Sequence, residues 1–218
     1  MLNRFKTIYK PSEIEIIEKK SRFIGHAFPV ECEATALKHL EDIRKIHNRA
    51  NHNCFAWQIG DADQNTRQSD DGEPAGTAGM PILDLLRKEN IKNTLVIVTR
   101  YFGGTLLGTG GLVRAYGRTA KEAVTAASVI EKVLYRKFSV VCPYHLSGKL
   151  QYEILQRGKV CVLADTLYTD NVEFIVYTIN PETEQFIARI QDISGGVAQI
   201  IPKEHIYCAE INGKFIKF

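Results

Sequence analysis

TLVIVTRYF (residues 94–102), GGTLLGTGG (103–111) and LVRAYGRTAKEAVTA (112–126) run consecutively and decide the fold. The first nine residues are nearly continuously apolar, which marks a strand covered on both faces and therefore central in its sheet. The next nine contain five glycines, at 103, 104, 108, 110 and 111. They open into a helix whose apolar face is Leu112, Tyr116, Ala120, Ala123 and Ala127, spaced by three and four. A central strand, a glycine turn and an amphipathic helix make one half of a sheet-and-helix layer.

Upstream, Ile14 and Ile16 alternate with glutamates and KKSR (19–22) leads into FIGHAFPV (23–30), two strands joined by a tight turn. Ala36, Leu37, Leu40, Ile43 and Ile46 predict a helix over 33–47, and NHNCFAWQIG (51–60) a strand. Residues 61–79 read as one long polar loop, functional or mobile because it exceeds an ordinary connection. Pro81 sits near the start of a helix running through ILDLLRK (82–88), where its missing N–H does no harm. The first part is thus ββαβαβα. After Ser128 the pattern restarts: KVLYRKFSVVCPY (strand), LSGKLQYEILQRG (helix), a hairpin turning near Asp170 and Asn171, PETEQFIARIQDISGG (helix) and HIYCAEI (strand). This βαββαβ order is that of a ferredoxin-like domain. The chain is expected to be α+β, with domains at 1–132 and 133–218.

The 218 residues, 44% hydrophobic and 24% charged, suffice for a real core and do not require a disordered chain. No apolar run approaches a membrane span, and the N-terminus lacks an apolar signal core, so a cytoplasmic protein is expected. Five scattered cysteines without a CxxC pair argue against a disulfide scaffold or zinc knuckle. Net charge is +3, unevenly placed: up to Phe138 there are 21 Lys+Arg against 16 Asp+Glu (+5), and beyond it 7 against 9 (−2). An anionic partner should therefore meet the first part.

In SDDGEPAGTAG (69–79), Asp70, Asp71 and Glu73 are close enough to repel unless an arginine, a helix N-terminus or a cation offsets them. Asp-Gly and Glu-Pro also suit a plain solvated turn. In the glycine loop, Gly103, Gly104, Gly108, Gly110 and Gly111 let backbone approach a ligand and leave helix-start N–H groups free, an anion-binding geometry. The alternative is tight steric packing. Neither a phosphate-loop nor a dinucleotide fingerprint is present: Thr109 follows Gly108, and the glycine required at 113 is Val113. No nucleotide cofactor is assigned. Arg100, Arg114 and Arg118 surround the loop, the last two on one helix face. They serve either an anionic ligand or an internal ion pair with the acidic loop. His52 and Cys54 share a strand face, but buried cysteine is common and no orienting third group is visible, so the pair reads as structural. No catalytic residue and no metal ligand is assigned.

SDDGEPAGTAGMPIL (69–83) followed by VTRYFGGTLLGTGGLVRAYG (98–117) resembles the signature of the YigZ/IMPACT family. The resemblance covers essentially the whole chain. Its motif positions are Asp70, Asp71, Gly72, Glu73, Pro74, Gly76, Thr77 and Gly79, then Arg100, Tyr101, Phe102, Gly103, Gly104, Gly108, Gly110, Gly111, Arg114 and Tyr116. It implies an N-terminal domain similar to the second domain of a small-subunit ribosomal protein and to domain IV of elongation factor G, and a C-terminal domain similar to domain V of that factor. Eukaryotic relatives modulate translation by competing for the activator of an initiation-factor kinase. Two positions depart: Met80 and Leu106 stand where many relatives carry a cation.

The leading expectation is a translation-associated regulatory or binding protein that contacts RNA or the ribosome through the first domain. The alternatives are a protein-interaction regulator without nucleic-acid contact, and an enzyme of hydrolase or phosphoryl-transfer type using the two loops. An enzyme is disfavoured because no nucleophile–base pair can be read. No membrane partner is expected, and the sequence assigns no oligomeric state.

Overall fold

The computed structural model describes residues 1–218 and falls into two compact units: Phe5–Glu131, and Lys132–Phe218 together with Met1–Arg4. The expected first domain, 1–132, includes residues 1–4, which the structure groups with the second unit.

The N-terminal unit contains β1 (Arg4–Ile8, counted in this unit from Phe5), β2 (Ser12–Glu18), β3 (Ser21–Pro29), α1 (Glu33–Ile46), β4 (His52–Ile59), β5 (Asn65–Ser69), α2 (Gly79–Lys88), β6 (Thr94–Tyr101) and α3 (Thr109–Ala126). Five strands form an antiparallel sheet in the order β2-β3-β6-β4-β5, so β6 is the middle strand. Its apolar run has a direct cause. Val96 and Val98 face α2 and α3 together with Phe23, Ala27, Cys54 and Ala56. Leu95 and Ile97 face α1 together with Phe55 and Trp57. Helices cover both faces, so side chains at both phases of the strand's period of two must be apolar.

α3 lies very close to the sheet. A Cβ on Gly25 would stand 2.8 Å from the Thr119 methyl, so only glycine permits this approach. The small residues Ala115, Ala120 and Ala123 line the same buried face. α2 has no cap from its own N-cap residue, Ala78. The Asp70 carboxylate, nine residues before Gly79, accepts the Ala78 and Gly79 N–H groups at 3.0 and 2.8 Å instead.

Two expectations are corrected here. Residues 61–79 are not one loop: Asn65–Ser69 is the edge strand β5. Its polar composition suits an edge and hid it from a hydrophobic pattern. β1 is a further strand beyond the expected ββαβαβα, and the unit is βββαββαβα.

The C-terminal unit contains β7 (Val129–Cys142, counted in this unit from Lys132), α4 (Tyr144–Gln156), β8 (Cys161–Tyr168), β9 (Val172–Ile179), α5 (Thr183–Ser194), β10 (Gln199–Ile211) and β11 (Lys214–Lys217). The sheet order is β11-β10-β7-β9-β8, antiparallel throughout. Leu150 and Ile154 of α4 and Phe186 and Ile190 of α5 pack on Phe138, Val140, Phe174 and Val176. This is the βαββαβ order read from the sequence, extended by β11. The last long strand begins at Gln199, earlier than the apolar segment HIYCAEI suggested.

Candidate functional site

The acidic loop is folded onto β4 and β6, and each of its carboxylates is offset by a different device. Asp70 accepts the Gly76, Ala78 and Gly79 N–H groups at the start of α2. Asp71, at φ 44°, accepts the Asn53 N–H at 2.7 Å and pairs with Arg44 at 3.0 Å. Glu73 pairs with Arg100 at 2.6 Å and accepts the Tyr116 hydroxyl at 2.7 Å. Thr77 closes the loop internally, its hydroxyl donating to the Pro74 carbonyl. The predicted repulsion is thus resolved inside the protein, and the segment is pinned.

The Glu73–Arg100 pair is the structural centre of the site. The two side chains are only 3% and 6% exposed. The Arg100 guanidinium lies 5.3 Å from the Phe23 ring and 5.5 Å from the Phe102 ring, and also reaches Ser21. Its Nε–H has no partner. Burying two charges costs several kcal/mol per ion before their attraction returns it. Burial pushes the Tyr116 phenol up, with Cys54 and Glu73 adding to the effect. The Cys54 thiol donates to the Asp70 carbonyl and is pushed up to about 12, chiefly by burial, so it is no thiolate nucleophile.

His52, which the sequence pairs with Cys54 as structural, borders the site's cleft. Its Nδ1–H donates to the Asp71 carbonyl at 2.9 Å, and its Nε2 lies 3.8 Å from the Glu73 carboxylate. His52, Glu73 and Arg100 border a cleft of about 460 Å³ whose other wall is Phe102, Leu107 and Leu112. Asn51 closes one end, its Oδ1 accepting the Phe102 N–H.

The glycines divide by role. A Cβ on Gly103 would fall 2.1 Å from the Lys20 carbonyl, so that position is close packing. Gly104 and Gly108 have open space but φ of 82° and 72°, and turn the chain into α3. Gly110 and Gly111 lie in the first turn of α3, which carries no side-chain cap, so its first N–H groups are free of intrahelical partners.

Arg114 and Arg118 are not at the Glu73 cleft. With Lys19 and Glu18 they line an adjoining pocket of about 250 Å³, and Leu107 borders both cavities. Arg118 also pairs with Glu122 at 2.9 Å on the surface. Of the three arginines, then, only Arg100 forms the internal pair with the acidic loop. Tyr101 points elsewhere, to His47 at 3.0 Å and under Arg22.

Lys19 and Lys20 are not among the residues that the sequence marks for the site. They are the two-residue turn between β2 and β3, both at positive φ (44° and 68°) where Asn-Gly is preferred. Strain of roughly 1–3 kcal/mol per residue in such positions concentrates at functional sites. The signal in the sequence was a lysine pair in a tight turn.

The Impact N-terminal domain model matches residues 19–124, and a second one, Domain of unknown function (DUF1949), matches 140–197. IMPACT family member YvyE of Bacillus subtilis is 39% identical over 207 residues, 95% of this chain and 94% of that protein. The chain belongs to the IMPACT family. IMPACT family member YigZ of Escherichia coli is 34% identical over 85% of this chain and 91% of its own length. Human Protein IMPACT is similar only over 44% of this chain and 31% of its own, at 39% identity. A solved structure described as a hypothetical protein covers 94% of this chain and 99% of its own at a TM-score of 0.59 and 32% identity. Both motifs that carried the resemblance lie within the Impact N-terminal match, and the cleft and the cationic pocket are built from that region together with Glu18.

No helix is long and apolar enough to cross a membrane.

Proposed function

We propose that this IMPACT-family protein is a translation-associated regulatory protein that contacts RNA or a ribosomal surface through the glycine-loop end of its N-terminal unit, in the cytoplasm. The observation that carries the reading is the pocket where Lys19, Arg114 and Arg118 gather beside the uncapped start of α3. Exposed cations next to free backbone N–H groups suit phosphate. The strained Lys19–Lys20 turn points the same way. The family resemblance supplies the link to translation.

Pelleting of the protein with ribosomes through a sucrose cushion, across a salt series, tests it. Binding should fall steeply with salt, and Arg114→Glu should weaken it and flatten the slope by roughly one to two phosphate equivalents. Salt-independent binding, or an unchanged slope in the folded variant, would refute the electrostatic contact.

A second reading, a protein partner without nucleic acid, is favoured by one observation: Leu106 is 83% exposed on the glycine loop, with Phe102 and Val113 also exposed. It predicts a salt-tolerant complex that Leu106→Lys weakens.

A further inference from the structure

We propose that the Glu73 cleft and the cationic pocket together hold one unstacked nucleotide of single-stranded RNA, the base in the cleft and its phosphate at the start of α3. The inference deepens, and rests on, the RNA reading above.

The two cavities are neighbours on the first turn of α3. Gly108 and Thr109 border the cleft, Gly111 borders the cationic pocket, and Leu107 borders both. The helix start between them is uncapped, and Lys19, Arg114 and Arg118 outnumber Glu18 beside it, with Arg118 also shared with Glu122. A phosphate there gains backbone N–H donors, the helix dipole and flexible cations at once. The cations come from two elements, the β2–β3 turn and α3, and Gly103 packs directly on the Lys20 backbone. The turn and the glycine loop are therefore held together.

The cleft has the chemistry of a base pocket. A nucleobase needs apolar contact for its faces and mixed donors and acceptors for its edge. Phe102, Leu107 and Leu112 provide the apolar walls. The Phe102 ring is steadied by the Arg100 guanidinium and by the Asn51 bond to its backbone, yet the residue stays 44% exposed. That combination suits a stacking platform. At the polar end Glu73 accepts, and His52 presents its Nε2 beside it. The Asn51 amide nitrogen donates, because its oxygen is already engaged. A base stacked in a duplex cannot enter such a cleft, so the site selects single strands.

The test is fluorescence anisotropy of the full chain with a labelled single-stranded RNA oligonucleotide, the same sequence annealed to its complement, and adenosine monophosphate as competitor. The single strand should bind at least about tenfold tighter than the duplex. Loss of one stacked base is worth roughly 5- to 160-fold in affinity. Phe102→Ala should therefore cost that much with the salt slope unchanged, and Phe102→Leu, which keeps the apolar bulk, a smaller part of it. Arg114→Glu should lower both affinity and slope. Competition by the mononucleotide should be weak but measurable, and lost in Phe102→Ala. Equal affinity for single strand and duplex, with both Phe102 variants unchanged, would overturn the nucleotide site while leaving a salt-dependent ribosome contact standing. Tight mononucleotide binding without RNA binding would overturn the RNA assignment. Absence of binding to RNA and to ribosomes alike would overturn both readings.

Discussion

The losses from removing the two partners of the Glu73–Arg100 pair should be strongly non-additive. The pair is nearly solvent-free, and Glu73 also accepts from Tyr116. In Glu73→Gln the Arg100 charge keeps its burial between Phe23 and Phe102 but loses its counter-charge. In Arg100→Met the Glu73 carboxylate is stranded in the same way. Each should destabilise the N-terminal unit by about 3–5 kcal/mol, the range for breaking a buried pair. With a urea m-value of about 2 kcal/mol/M, that is a fall of roughly 2 M in midpoint. The double variant has no buried charge left, so its loss should be smaller than the sum by at least about 2 kcal/mol. Trp57 makes the assay selective. It is the only tryptophan, it is fully buried in this unit, and its indole donates to Asn65. Its fluorescence during urea unfolding therefore reports the unit that holds the pair. Single variants each losing less than about 1 kcal/mol, with a double equal to their sum, would refute the argument.

His26 is 2% exposed, and its imidazole is pushed down from 6.5 to about 4 by burial, with nearby His47 adding; Glu13, at 3.5 Å but in solvent, does not offset this. Between pH 6.5 and 4 the unfolded chain binds the proton and the folded one does not. Stability from this group is therefore complete above pH 6.5 and falls by about 1.4 kcal/mol per unit as pH drops, some 3 kcal/mol by pH 4. His26→Gln should remove that slope from the Trp57 signal, and a slope identical to wild type would contradict it. Gly103→Ala should destabilise by about 1–3 kcal/mol, because its Cβ would meet the Lys20 backbone. Gly110→Ala, with only the mobile tip of Arg114 at 3.5 Å, should be neutral or stabilising by up to about 1 kcal/mol; thermal melts ordering the two variants the other way would be incompatible with this packing. Cys32 is exposed, and its thiol is held below its usual range chiefly by the Thr35 hydroxyl, whereas Cys54, Cys142, Cys161 and Cys208 are buried. A thiol reagent at neutral pH should titrate one group quickly, and Cys32→Ser should abolish that phase.

Much of the scaffold is determined by the sequence alone, because its signals are local or periodic. The run 94–102 can be covered on both faces only as a middle strand, and β6 is one. The spacing of Leu112, Tyr116 and Ala120 sets the buried face of α3 without reference to anything else. The two motifs that carried the family resemblance were legible as strings of residues, as was the change of pattern after Ser128. Polar elements were not: β5 exists only because β4 offers it an edge, and nothing in its composition announces that.

The site was decided by tertiary structure. Asp70, Asp71 and Glu73 are neighbours in sequence, but the fold sends them to three different partners: the start of α2, Arg44, and Arg100 with Tyr116. The same residue types at that spacing would serve equally for a solvated turn. Arg100, Arg114 and Arg118 looked like one cationic set, yet a β-strand directs Arg100 inward and α3 directs the other two to the surface beside Lys19. His52 is a cleft residue because the acidic loop folds over it and its Asp71 carbonyl takes the Nδ1–H. Periodicity reports which face a residue shares with its neighbours in the chain. Which distant group meets it there depends on loop closure and close backbone approach, set here by Gly103 against Lys20 and Gly25 against Thr119, and no local pattern encodes those encounters.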